Sequence, residues 1–343
     1  MSYIIKKLRI DKDYSIKKDW EDLLFHGNIR PEKAIEYTAG IFEGDNLIAT
    51  GSIFQNILKC IAVAPEYMGG KVFNILISHL MSEVFDKGYV SCFIYTKEEA
   101  AHSFMHLGFC EIARVSGELV FLELSAKGFL SYIEDLKKTR IEGNKVASIV
   151  MNANPFTNGH LHLIETAVKE NDVLHVFILS EELSDFPSTI RLELVKKGTA
   201  HLHNIILHET GDYIISAKTF PSYFLKEKAD VTYIQASLDA IIFKSYISPS
   251  LGISRRYVGE EPLSQATAIY NQALKDVFNE EIELIVIPRK ELANEVISAS
   301  RVRKLFKENH MEQIKDLVPK STFEFLLSPE GRKIQDKIQE KEV

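Results

Sequence analysis

Six short apolar stretches in the second half of the chain, ASIVMN, VLHVFIL, NIILH, VTYIQ, RYVG and IELIVIP, read as strands. Helix-length segments fill most of the gaps, over 159–170, 190–201, 219–228, 264–278 and 299–308. This alternation leaves few folds open. Parallel strands need crossovers, and the crossover helices cover both faces of the sheet. The expectation is a doubly wound, Rossmann-like parallel sheet. Ligands in such sheets bind beyond the carboxyl ends of the strands, where strand order reverses.

The first half reads differently, as mixed α+β. GIFEGDNLIATGSIFQ has the form of a hairpin around Glu43–Asn46, and ILKCIAVAP, YVSCFIYT and LVFLEL read as strands. KVFNILISHLMSEVFDKG and EAAHSFMHLGF carry apolar residues at helical spacing and end at glycine. With 343 residues there is length for two cores. The charged piece YIEDLKKTRIEGNKVA marks the boundary, between about 125 and 145, giving domains over 1–130 and 141–343.

Charge and composition exclude whole classes of function. A net charge of −7 argues against broad binding to nucleic acid or anionic lipid, though not against a local anion pocket. Cys60, Cys92 and Cys110 form no C-x-x-C pair, so neither a disulfide framework nor a thiolate zinc site is expected. KKLRIDKD breaks the apolar start, and no apolar run nears the ~20 residues of a spanning helix. The expected setting is cytoplasmic, with no membrane and no nucleic-acid partner.

The first strand-to-helix connection of the parallel sheet is NANPFTNGHLHLIE. A helix start exposes unpaired N–H groups and partial positive charge, which attract phosphate. There Thr157 caps the helix or binds a phosphate oxygen, Gly159 permits close backbone approach, and His160 places a ring N–H on the same anion. An ordinary capped helix with a core-edge histidine would look the same. What separates the two readings is a second stretch, ISASRVRKLF, with Ser298 and Ser300 before a helix and Arg303 in its first turn.

TNGH is similar to the (H/T)-x-G-H signature of the HIGH-type nucleotidyltransferase superfamily, and ISASRVR to its later I-S-x-(S/T)-x-x-R signature. More narrowly, IVMNANPFTNGHLHLIETA, LVKKGTAHLHNIILHETGDYIISAKTFPSYFLK, LDAIIF, RYVGEEP and IPRKELANEVISASRVR resemble the citrate lyase ligase family in order and spacing. The resemblance implies an AMP-forming acid–thiol ligase. ATP, with Mg2+, activates acetate as acetyl-adenylate, and the prosthetic-group thiol on the acyl-carrier subunit of citrate lyase takes the acetyl group. It implies catalytic roles for Thr157, His160 and Arg303, and extends the nucleotide-binding set to Asn154, Phe156, Gly159, Tyr257, Gly259, Ser298 and Ser300. It gives no protein ligand for a metal. Rival readings are an adenylyltransferase acting on a small phosphorylated precursor, and a non-catalytic regulatory module.

Weaker candidates surround this set. Arg191 reads either as a phosphate ligand or a surface arginine. One of Arg255 and Arg256 is a candidate contact to the nucleotide or the prosthetic group, Asp239 a candidate site residue, and Glu260 and Glu261 read either as Mg2+ or ribose ligands or as solvated loop residues. His201, His203 and His208 lack the further ligand that would complete a metal site and read as structural or exposed. In the first domain, VAPEYMGGKVFNILISHL followed by YTKEEAAHSFMHLGFCEI resembles the GNAT acetyltransferase fold. Its coenzyme A cradle pattern is (Q/R)-x-x-G-x-(G/A). Gly69 fits it, but Lys71 stands where a second glycine belongs and Phe73 where a small residue does. Acetyl transfer from acetyl-CoA is therefore not expected of this domain. A dock for a pantetheine-type arm and a purely structural module both remain open.

Overall fold

The computed structural model describes residues 3–32, 34–214, 220, 223, 228–260, 265–293 and 295–340. The chain groups into two compact units. One is Met1–Tyr132 with Phe220–Ile234, and the other is Ile133–Thr219 with Gln235–Val343. The linear division into 1–130 and 141–343 puts Phe220–Ile234 in the second domain, whereas it groups with the first unit.

The first unit is built on seven strands: β1 (Tyr3–Lys7), β2 (Tyr37–Glu43), β3 (Asn46–Phe54), β4 (Ile57–Val63), β5 (Ser91–Thr96), β6 (Cys110–Val115) and β7 (Leu119–Ser125). Their order is β1-β2-β3-β4-β5-β7-β6. The expected hairpin forms, with Glu43 facing Asn46 across a two-residue turn. Helices α1 (Tyr14–His26), α2 (Lys71–Asp86) and α3 (Glu98–Met105) accompany the sheet. The spacing of Val72, Leu76, Leu80 and Val84 puts one apolar stripe of α2 into the core with Ile41, Ile53 and Leu58. Strands β4 and β5 run parallel but pair only at Ile57–Leu58 with Phe93–Ile94. Beyond that point a cavity of about 630 Å3 opens, lined by Ile61–Val63, Ile94–Thr96, Gly69, Gly70 and Tyr223. Phe73 also lines it, packed edge-on against Phe104 at 5.0 Å, whereas Lys71 does not.

The second unit carries the parallel sheet: β8 (Val146–Met151), β9 (Val173–Ile178), β10 (Ile205–Glu209), β11 (Arg255–Gly259) and β12 (Glu283–Ile287). All four pairings are parallel, in the order β10-β9-β8-β11-β12. The chain builds outward from β8 in one direction and then in the other, so the order reverses between β8 and β11. Helices α4 (Gly128–Lys137), α5 (Asn158–Glu170), α6 (Ser188–Gly198), α7 (Lys228–Ile242), α8 (Ser248–Leu251), α9 (Gln265–Phe278) and α10 (Ala299–Lys307) precede, connect and follow these strands. Three more helices, Met311–Ile314, Lys320–Leu327 and Pro329–Glu340, end the chain.

One expected strand is a helix. VTYIQ lies inside α7, where the spacing of the buried residues Ile234, Leu238 and Ile242 is helical. The helix expected over 219–228 falls mostly outside the described residues, as does most of GDYIISAKTFPSYFLK.

Candidate active site

Strand β8 ends at Met151, and the loop that follows is held by arginines on both sides. Ala153 takes a left-handed φ of +50°, a conformation costly for a residue with a Cβ. Arg191, fully buried on α6, donates to the carbonyls of Asn152, Leu179, Glu181 and Phe186, and to Asn152 Oδ1. Arg303 on α10 donates to the Asn154 carbonyl, to Ser300 Oγ at 3.2 Å, and pairs through Nε with Asp185 at 3.2 Å. Asn154 Oδ1 accepts the Phe186 N–H at 3.0 Å. These groups clamp the loops after β8 and β9 together.

The loop delivers the chain to α5 with a reciprocal cap. Thr157 Oγ1 accepts the His160 N–H at 3.4 Å, and the Thr157 N–H donates to His160 Nδ1 at 3.1 Å. An amide N–H only donates, so Nδ1 accepts and the ring proton of neutral His160 sits on Nε2. Burial first, then the charge of Arg289, push the His160 pKa down to about 4, so the ring is neutral at pH 7. The Phe156 ring lies nearly parallel to His160 at 5.9 Å and is itself fully buried.

The second motif meets the first through glycine. A Cβ on Gly159 would lie 2.9 Å from the Ile297 carbonyl oxygen. Only glycine lets the first turn of α5 press against the backbone that leads into α10. Ser298 caps α10, its Oγ accepting the Arg301 N–H at 3.2 Å. Two helix N-termini thereby share one cleft of about 210 Å3 at the reversal of strand order.

Thr157, Gly159, His160, Gly259 and Ser298 line this cleft. The other expected site residues stand around it. Asn154, Phe156, Ser300 and Arg303 make the supporting contacts above. Tyr257 lies in the core, its hydroxyl donating to Glu170 at 2.6 Å and accepting from Asn171 at 2.9 Å. Arg255 pairs with Glu283 at 2.9 Å. Arg256 is buried, 3.8 Å from Asp239 and over the Phe243 ring at 4.4 Å, while Tyr270 donates to Asp239. The Glu260 carbonyl accepts from Arg289 Nε at 2.7 Å, and Glu261 lies outside the described residues. His208 is buried and hydrogen-bonded to His175 at 2.8 Å, while His201 lies 3.4 Å from Glu165.

Sequence reasoning missed Arg289 and Lys290, which also line the cleft. The available signal was their position directly after the strand IELIVIP, at a carboxyl end. Among the described residues no group of three or more His, Cys, Asp or Glu side chains could hold a metal. No described helix is long and apolar enough to cross a membrane.

Residues 146–326 match the family model described as citrate lyase ligase C-terminal domain. A citrate (pro-3S)-lyase ligase of Escherichia coli K12 is 38% identical over 309 residues, covering 88% of each chain. This chain belongs to the citrate lyase ligase family. A citrate (pro-3S)-lyase ligase of Haemophilus influenzae is 37% identical over 315 residues, covering 89% of this chain and 93% of the relative. Among solved structures, an acetyltransferase of the GNAT family from Staphylococcus aureus Mu50 has a TM-score of 0.31 and 14% identity, covering 36% of this chain and 99% of its own. Members of the citrate lyase ligase family thus align with the chain across both units, while the family model spans the parallel sheet and the residues that line the cleft.

Proposed function

We propose that the chain activates acetate with ATP and passes the acetyl group to the prosthetic-group thiol of citrate lyase, as an AMP-forming acid–thiol ligase. The observation that carries this reading is the convergence of the Thr157–His160 and Ser298 helix starts on one cleft. The carboxylate oxygen of acetate bonds to the α-phosphorus while the bridging bond to the β-phosphate breaks, and pyrophosphate leaves with the electron pair. The thiolate on the acyl-carrier subunit of the lyase then attacks the acetyl carbonyl. The bond from that carbonyl carbon to the AMP oxygen breaks, and AMP departs.

The protein's part is orientation and charge. Helix-start N–H groups and the His160 Nε2–H donate to phosphate oxygens whose charge grows as pyrophosphate separates. A neutral, pre-aligned ring does this without losing a proton. The cleft-lining residues include no carboxylate. Mg2+ enters this reading only as the ion that accompanies ATP, held by phosphate oxygens.

The test is exchange of labelled pyrophosphate into ATP by the full chain without lyase. Exchange that depends on acetate is expected. Acetylation of lyase with no such exchange would refute the adenylate route.

A further inference from the structure

The cleft is cationic in a chain whose net charge is −7. Arg289 and Lys290 line it, and none of its lining residues is an Asp or Glu. Arg303, the arginine that the sequence motif offers, is instead paired with Asp185 and bound to the Asn154 carbonyl and Ser300. Arg289 is oriented from outside the cleft, by its Nε bond to the Glu260 carbonyl at 2.7 Å. We propose that Arg289, with Lys290 beside it, binds the polyphosphate of the nucleotide. The proposal rests on reading the cleft as an ATP site.

Two arguments favour polyphosphate over the carboxylate of the acid substrate. Two cations and two helix starts exceed what one carboxylate needs, and they match a triphosphate. The cleft volume of about 210 Å3 is also below the ~300–1,000 Å3 of pockets that enclose whole ligands. It suits the charged end of a nucleotide, with the base and ribose lying outside. Arg289 lies close enough to His160 for its charge to add, after burial, to the lowering of the His160 pKa.

The test measures binding of inorganic tripolyphosphate and of ATP to the full chain by calorimetry, and KM for ATP and for acetate in the exchange assay. Arg289→Gln is expected to weaken tripolyphosphate and ATP about 10- to 100-fold, the loss typical of a charge-assisted bond. It should raise KM for ATP similarly and leave KM for acetate within about twofold. Arg289→Lys keeps the charge but not the fork, and Lys290→Gln removes the second cation. Each is expected to cost roughly three- to tenfold in the same measurements, so the proposal is tested even where Arg289→Gln fails to fold. Wild-type protein that binds neither probe would overturn the ATP reading itself. Wild-type binding with both Arg289→Lys and Lys290→Gln unimpaired would overturn this proposal and leave that reading standing. A rise confined to KM for acetate would assign Arg289 to the acid and also overturn it.

Discussion

His160 joins two tasks that separate variants can pull apart. Nδ1 completes the cap on Thr157, and Nε2 carries the proton proposed for phosphate. Asparagine offers an acceptor near the position of Nδ1 and nothing near Nε2. His160→Asn is therefore expected to keep thermal stability close to wild type while acetate-dependent exchange falls about 100- to 1,000-fold, the typical cost of one preorganised donor. Exchange within about threefold of wild type would refute the donor role. The sequence placed His160 in the first turn of the helix as a ring N–H for an anion, but it did not show that Nδ1 is taken up by the Thr157 N–H. What was not legible is that Arg303 and Arg191 face backbone carbonyls. A linear pattern gives an arginine's distance along the chain from a helix start, not which loop will need its donors.

At the scale of elements, the strand-and-helix alternation foretold the sheet. It failed at VTYIQ, where a short apolar run with β-branched residues carried no period of its own. Only the longer frame of Ile234, Leu238 and Ile242 shows the helix. The junction of α5 with α10 was invisible for another reason: Gly159 was read only as room for a ligand, and besides lining the cleft it is room for the Ile297 carbonyl. A Cβ there meets backbone at 2.9 Å, whereas one on Gly259 meets only Arg289 Nε at 3.9 Å. Gly159→Ala should therefore destabilise by about 1–3 kcal/mol and weaken exchange, and Gly259→Ala should change thermal stability little. Equal melting temperatures for the two variants would contradict the packing argument. Strands β9 and β10 add a pH dependence. Burial pushes His175 down to about 4, and burial with the neighbouring His175 pushes His208 down to about 3, alongside His160 at about 4. Native pKa values lie below the unfolded value, so between pH 6.5 and roughly 4 the unfolded chain binds protons that the native chain does not. Stability is complete above pH 6.5 and falls as pH drops through that window, by up to ~1.4 kcal/mol per pH unit per histidine. Urea midpoints at pH 7.5, 6 and 5 should show this decline, with a shallower one in His208→Gln. Identical slopes in the two proteins would remove His208 from the account.

The whole molecule is less divisible than its sequence suggests. A cut near residue 140 looks natural, because charge and glycine gather there. Yet Phe220–Ile234, far downstream of that cut, groups with the first unit. The Tyr223 carbonyl accepts the Arg30 N–H at 3.0 Å, and the Tyr223 side chain is buried in a cluster with Leu8, Trp20 and Leu24. The Phe220 ring packs edge-on against Tyr95 at 5.4 Å. A fragment 140–343 would carry both aromatic residues without these partners, each with ~150–250 Å2 of surface to cover. That fragment is expected to bind a hydrophobic dye and to aggregate at concentrations where the full chain stays monodisperse. Replacing both residues, Phe220→Ser with Tyr223→Ser, should restore its solubility. The same double substitution in the full chain should lower the melting temperature, because it empties buried positions. A wild-type fragment 140–343 that stays soluble and binds no dye would show that these two side chains find cover without the first unit, and that a simple cut at 140 is after all a domain boundary.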